Sequence, residues 1–372
     1  MLNEYLYSPT HVNFLNKIMN NDTDNSKAIQ QQVHDAIASA APLNICGGNS
    51  KNFYGNKTTG AALDVGTHRG IVSYEPTELV VTARSGTTLK DIESVLAAQN
   101  QMLAFEPPAY NEHATIGGTI ACNLSGPRRP YAGAARDFML GCKIINGKAE
   151  TLKFGGQVMK NVAGYDVSRL MAGAMGTLGV LMEVSLKVLP RPETELTLTM
   201  SSGVTQSMQK IQQWQRLPLP VSAVSFDSHF LNVRISGAEK AVNQAKLKIG
   251  GDVLPGAATF WKDTNQHRLA FFSNKDSLWR ISVPANTPPL SIQGEWLYEW
   301  GGALRWLATA AKANEIRMAV QAVGGHATLF RGTDDIERFQ PLPDGLKKLH
   351  QQLKHAFDPH GIFNPGRLYR DI

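Results

Sequence analysis

Paired glycines set among small residues restrict this chain more than any other feature. They occur as Cys46-Gly47-Gly48-Asn49-Ser50-Lys51 and as Thr115-Ile116-Gly117-Gly118-Thr119-Ile120-Ala121-Cys122. A glycine pair lets the backbone turn tightly and aim several N–H groups at one point, a nest suited to a phosphate. In the first loop Asn49 and Ser50 would add side-chain donors, although an ordinary Gly-Gly turn explains that segment better when it is taken alone. The second reads as a loop entering a short helix, where the helix dipole joins the amides. Its small residues would let a flat ring approach the main chain, and glycine-rich packing accounts for it about equally well. Neither loop is a GxGxxG fingerprint, and Gly173, Gly176 and Gly179, spaced three apart, have the wrong pattern for one. Gly55-Asn56-Lys57-Thr58 lacks the upstream glycine and the Gly-Lys junction of a P-loop, so nicotinamide and P-loop enzymes drop out.

The pattern between these loops predicts alternating short strands and helices in the first half. A β-rich run at 79–83 precedes a capping signal, Thr88 with Asp91 three residues later, and Leu89, Ile92, Val95 and Leu96 then share one helical face. Asp166 is placed to cap a second helix with Val167, Leu170, Met171 and Ala174 on its apolar side and Gly176 at its end. Val180 to Val188 alternates as a strand, and Arg191-Pro192 reads as a domain exit. From 193 to 326 the pattern predicts helices at 208–214, 238–249 and 303–312, and strands at 224–226, 231–235 and 278–283. Two β-α-β halves of this kind fit a ferredoxin-like α+β layer. A last helix is expected at 346–355.

With 372 residues, 42% hydrophobic and 18% charged, the chain can build two domains with ordinary cores. Its net charge of +6 would favour an anionic substrate or an acidic partner surface, and no basic–aromatic run points to nucleic acid. Cys46, Cys122 and Cys142 are dispersed, which argues against a disulfide framework and an iron–sulfur centre. The polar start lacks a signal-peptide pattern and no apolar run of membrane-spanning length occurs. The expectation is therefore a cytoplasmic protein that reaches a membrane only through a partner.

Two further segments complete a set of four: 160–166 running on to Gly176-Thr177-Leu178-Gly179-Val180, and Phe357-Asp358-Pro359-His360-Gly361-Ile362-Phe363-Asn364-Pro365-Gly366-Arg367. Each has a bland alternative as a helix cap or a rigid turn. In this order and spacing the four resemble the FAD-binding fold of the vanillyl-alcohol-oxidase (p-cresol methylhydroxylase, PCMH) superfamily. Within it they resemble the FAD-binding E subunits of glycolate oxidase (glycolate dehydrogenase). Gly126-Pro127-Arg128-Arg129-Pro130, Arg136-Asp137-Phe138, Met159 to Asp166, Trp300 to Trp306 and Gly324-Gly325-His326-Ala327-Thr328 carry the narrower likeness, which spans nearly the whole chain. The resemblance implies a PCMH-type domain at 1–190, an α+β cap at 191–330 and a tail at 331–372 returning to the first domain.

By the same resemblance, Gly47, Gly48, Asn49 and Ser50 would wrap the FAD pyrophosphate. Thr115, Gly117, Gly118, Ala121 and Cys122 would run beside the flavin, and Leu178, Gly179 and Val180 beside the adenine half. Pro107, Thr119, Gly126 and Asp166 join the implied set, and Asn364 would close it. With no histidine in the first loop, the expectation is non-covalent FAD and no metal. Implied partners are a catalytic flavoprotein D subunit and an iron–sulfur F subunit, and the implied substrate is glycolate or a similar 2-hydroxy acid. Oxidising such an acid needs a base and a cation for the carboxylate. His326 and Arg331 are the cap's candidates, while a lone histidine beside glycines is more often structural. Arg128 and Arg129 are further possible carboxylate anchors. Three readings follow: a flavin-holding subunit, a self-sufficient oxidase with His326 as base, and a scaffold whose FAD is dispensable.

Overall fold

A computed structural model describes residues 22–156, 166–273, 277–332 and 336–372. Residues 159–165 of the motif that ends at Asp166 therefore lie outside the described residues. In chain order the first strands are β1 (Leu43–Cys46), β2 (Ala61–Asp64), β3 (Ile71–Glu75), β4 (Val80–Arg84), β5 (Gln101–Met102), β6 (Met139–Ile145), β7 (Thr151–Gly155), β8 (Val180–Lys187) and β9 (Leu189–Pro190). Then come β10 (Thr194–Ser201), β11 (Val221–Phe226), β12 (Phe230–Gly237), β13 (Asp252–Val253), β14 (Leu278–Ser282), β15 (Glu295–Glu299), β16 (Leu304–Ala308) and β17 (His326–Arg331). The result is an α+β protein.

β1 and β2 pair in parallel, and a five-stranded antiparallel sheet runs β3-β4-β8-β6-β7. Helix Leu89–Ala98 starts as expected: Thr88 accepts from the Asp91 N–H at 3.1 Å, and Leu89, Ile92, Val95 and Leu96 are all buried. They pack with Ile116 and Ile120 of helix Ile116–Cys122 against the sheet. A second core joins Ile29, Val33 and Ala36 of helix Ser26–Ser39 to Leu43, Leu63, Met182 and Phe363. β8 is thus buried on both faces, Leu181 and Ser185 included, so the expected apolar–polar alternation does not mark an exposed side.

The eight-stranded sheet runs β13-β10-β12-β11-β15-β16-β14-β17. Its first four strands, with helices Val204–Trp214 and Glu239–Ile249, have the ferredoxin-like order, and β14 to β17 repeat that order in mirror sequence. The two halves join through the antiparallel β11–β15 pair.

Two helix assignments need correction. The stretch 303–312 contains strand β16, not a helix. All five of its residues are buried, and a short run hidden on both faces has no periodicity to separate strand from helix. The helix capped by Asp166 ends at Met171, well before Gly176. Gly173 and Gly176 both adopt positive φ and break it early.

The tail packs back on the first half. Phe363 bridges Leu43 in parallel, with Leu43 N–H to Ile362 O at 2.7 Å and Asn364 N–H to Leu43 O at 3.0 Å. Asp358, with its side chain fully buried, accepts from Lys354 Nζ at 2.7 Å and from the Ile362 and Phe363 N–H groups at 3.2 and 2.8 Å. Lys354 also donates to Thr177 O and Phe363 O. Replacing one partner of a buried pair strands the other, so Asp358→Ala should lower unfolding stability by about 3–5 kcal/mol. Urea denaturation followed by circular dichroism measures this, and a loss well under about 1 kcal/mol would remove the pair's anchoring role.

Candidate functional site

The glycine loop after β1, the start of helix Ile116–Cys122 and the returning tail meet in one cleft with two lobes of about 550 and 400 Å³. Both lobes are lined by Ile45, Gly47, Gly118, Ala121, Met175 and Asn364. Thr115 caps the short helix, its hydroxyl accepting from Gly118 N–H at 3.2 Å. Close packing dictates the glycines: a Cβ on Gly47 would lie 2.8 Å from Thr115 Oγ1, and one on Gly48 would collide with His113 O at 1.4 Å. Asn49 turns the loop with φ of +52°, a left-handed conformation that asparagine tolerates.

Asn364 closes the cleft. Its amide oxygen accepts from Ile45 N–H at 2.7 Å, and its amide nitrogen donates to Met175 O at 2.7 Å. Two cations stand over the first lobe. Arg367 is held by Asn52 and by the Asn56 carbonyl, at 3.0–3.3 Å. Lys51 donates to Ser50 Oγ at 3.3 Å, and burial pulls its ammonium down to about 8. The thiols of Cys46 and Cys122 also line this lobe, and burial pushes both upward, away from thiolate. In the second lobe Ser85 contributes a buried hydroxyl that has no partner among the described residues.

Of the residues expected to hold a cofactor, Gly47, Gly48, Asn49, Ser50, Thr115, Gly117, Gly118, Ala121, Cys122, Gly179 and Asn364 line this cleft. The others are placed elsewhere. Leu178 and Val180 lie in the cores, Thr119 is fully buried outside both lobes, and Asp166 is exposed, capping its helix and pairing with Arg169. Pro107 lines a separate groove with Glu106, Arg234 and Trp261. Gly126 sits against the cap, where its carbonyl accepts from Trp300 Nε1 at 3.0 Å. His326 and Arg331 occupy opposite ends of β17, roughly 17 Å apart at strand spacing, and His326 is exposed. Arg331 stacks on Phe53 and Phe330. Arg128 is committed to an ion-pair cluster with Glu106 and Glu195, and Arg129 stacks on Trp300 at 4.4 Å.

The sequence reading left out Lys51, Met175, Ser85 and Arg367 as cleft residues. Lys51 and Arg367 adjoin the first loop and Asn364, so a basic side chain beside each motif was a usable signal. Met175 and Ser85 carried none.

Residues 23–155 match the model of an FAD binding domain. The chain is 49% identical over 351 residues to glycolate oxidase subunit GlcE of Escherichia coli (strain K12), covering 94% of this chain and 99% of that one. It is 32% identical over 396 residues to glycolate oxidase subunit GlcD of Bacillus subtilis (strain 168), covering 88% of this chain and 82% of that protein. An alkyldihydroxyacetonephosphate synthase structure superposes with a TM-score of 0.66 at 15% identity, over 91% of this chain and 74% of that one, which establishes the shared fold. The chain belongs to the glycolate oxidase subunit GlcE family, FAD-dependent oxidoreductase subunits built on the PCMH-type FAD-binding fold.

Proposed function

We propose that the two-lobed cleft holds FAD non-covalently and that the chain serves as the flavin-holding subunit of a glycolate oxidase complex. The observation carrying this reading is the convergence of a glycine nest and two buried cations, Lys51 and Arg367, on one cleft closed by Asn364. The donor set fits a pyrophosphate: main-chain N–H groups at Gly47 to Ser50, with positive charge above them. Gly117, Gly118 and Ala121 present almost no side chain and suit the approach of a flat ring. Among the described residues no histidine or tyrosine lines either lobe, and burial raises both thiols away from thiolate, which supports non-covalent attachment.

Bound FAD supplies the two-electron acceptor that oxidation of a 2-hydroxy acid to a 2-oxo acid requires. The chain's residues contribute binding charge, the small-residue floor and exclusion of water by the returning tail. The identity to GlcE and GlcD supports glycolate as substrate and a GlcD-type subunit as partner, and an iron–sulfur F-type subunit is the further partner this reading adds. The chain's three dispersed cysteines supply no ligand cluster for onward electron transfer, consistent with a partner that does.

Three outcomes are expected. Acid precipitation of the purified yellow chain should release its flavin into the supernatant; colour retained in the pellet would instead show a covalent link. Asn364→Ala removes two buried hydrogen bonds and should cost about 2–3 kcal/mol of stability together with bound FAD. Lys51 is cationic below about pH 8 and neutral above, so FAD affinity should fall as pH rises through 8. Lys51→Met should weaken binding and flatten that dependence in fluorescence titrations, and an unaltered pH profile would exclude Lys51 from the site.

A further inference from the structure

The groove that Pro107 lines is a cavity of its own, with about 420 Å³ open to a guest. That lies within the range of small-molecule pockets, roughly 300–1,000 Å³, which favour domain interfaces such as this one. A helix from each half borders it. Helix Leu89–Ala98 turns Glu93 away from its buried stripe, and helix Ala257–Asn265 of the cap presents Ala258, Trp261 and Lys262. Met102, Pro107 and Ala109 add an apolar wall, and Arg191 enters from the domain exit, its Nε donating to Gln101 O at 3.3 Å. The charges fall into two groups. Glu106 and Glu195 are committed to Arg128 and Arg234, at 2.5–3.7 Å. Arg191, Lys262 and Glu93 form no ion pair among the described residues. Burial raises the Glu93 carboxyl, and Arg191 and Lys262 oppose the rise, so the three influence one another across a gap too wide for pairing.

We infer that this interdomain groove binds an amphipathic organic acid, its anionic group between Arg191 and Lys262 and its apolar body along Met102, Pro107, Ala109 and Ala258. Two uncommitted cations less one uncommitted acid leave a local charge of +1, which favours a monoanion. An apolar body covers the wall that water would otherwise wet. Ala258 leaves that space open, because a larger side chain at its position on the cap helix would project into it. Solvated charges on an open surface are the plain alternative. They account for Arg191 and Lys262 alone, but not for the apolar wall, nor for a Glu93 that is exposed to solvent and still flanked by protein, as the side of a concave site is. A two-carbon acid would leave the apolar wall wet, so the guest is a longer molecule. The groove shares no lining residue with either lobe of the flavin cleft, and the inference does not rest on the proposed function.

Isothermal titration of the full-length chain, saturated with FAD, against sodium octanoate, sodium acetate and octan-1-ol tests the assignment. Octanoate should bind one-to-one and roughly 10-fold or more tighter than acetate, which lacks the apolar body, and than octanol, which lacks the charge. Arg191→Gln and Lys262→Gln should each weaken octanoate roughly 3-fold or more. Glu93→Gln should tighten it by a similar factor, because the opposing charge is gone. Ala258→Trp should fill the groove and abolish binding while visible flavin absorbance stays unchanged. All four positions are solvent-exposed, so the variants should fold. If Ala258→Trp does not, Glu93→Gln decides, since misfolding cannot produce a gain in affinity. No one-to-one binding of octanoate, octanol binding as tightly, unchanged affinity in both cation variants, a Glu93→Gln variant that binds no tighter, or a folded Ala258→Trp that binds like the wild type would each overturn the inference.

Discussion

The side-chain amide of Asn364 spans two segments that the chain order keeps far apart: the Ile45 N–H, 319 residues away, and the Met175 carbonyl, 189 residues away. Its own φ is +41°, a conformation in which asparagine is among the tolerated residues, and the two buried hydrogen bonds hold it there. Glycine 176 is required beside it, because a Cβ there would lie 2.7 Å from the Asn364 amide nitrogen. Without this contact the nest after β1 would lose its third wall, and Arg367, three residues on, would no longer reach Asn52 and Asn56. The Lys354–Asp358 pair is the anchor behind it, satisfying main-chain groups of the turn that delivers Asn364. A ligand held between these segments would tie the ends of the chain together, which couples its binding to folding stability.

The cap is registered on the first half by a few directional contacts. Trp300, at positive φ beside Gly301 and Gly302, sends its indole N–H to Gly126 O and is flanked by Arg129 and Arg280. Glu106 accepts from Arg128 and from Arg234 of β12, and Arg128 reaches on to Glu195 of β10. Such a cluster adds little net stability once desolvation is counted. Its geometry matters more, because misplacing the cap would leave charges stranded in a shielded interface. A small cavity between the cap and the first half takes Tyr110 from the first half and Arg280 and Glu299 from the eight-stranded sheet, so this register brings the three to one place.

Much of this organisation was legible in advance where the signal was local. Thr88 capping through Asp91, the buried stripe from Leu89 to Leu96, and the helices Val204–Trp214 and Glu239–Ile249 follow from short-range pattern. The glycine pairs at 47–48 and 117–118 and the asparagine at 364 were readable as motifs and line one cleft. β16 was misread as helix because burial on both faces removes the alternation that identifies a strand. Asp166, read as both a helix cap and a cofactor contact, caps its helix, pairs with Arg169 and is not among the residues lining the cleft.

The sequence by itself determined the α+β class, the family and the segments that form a glycine-lined nest, since each depends on residues near one another in the chain. Tertiary structure alone decided that Lys51 and Arg367 face the same lobe, that His326 and Arg331 stand at opposite ends of one strand, and that His267, Arg280 and Glu299 share a chamber. The reason is physical: backbone conformation is set largely by local sterics and periodicity. Which side chains meet across a core is set instead by long-range packing and by the partners that buried polar groups require.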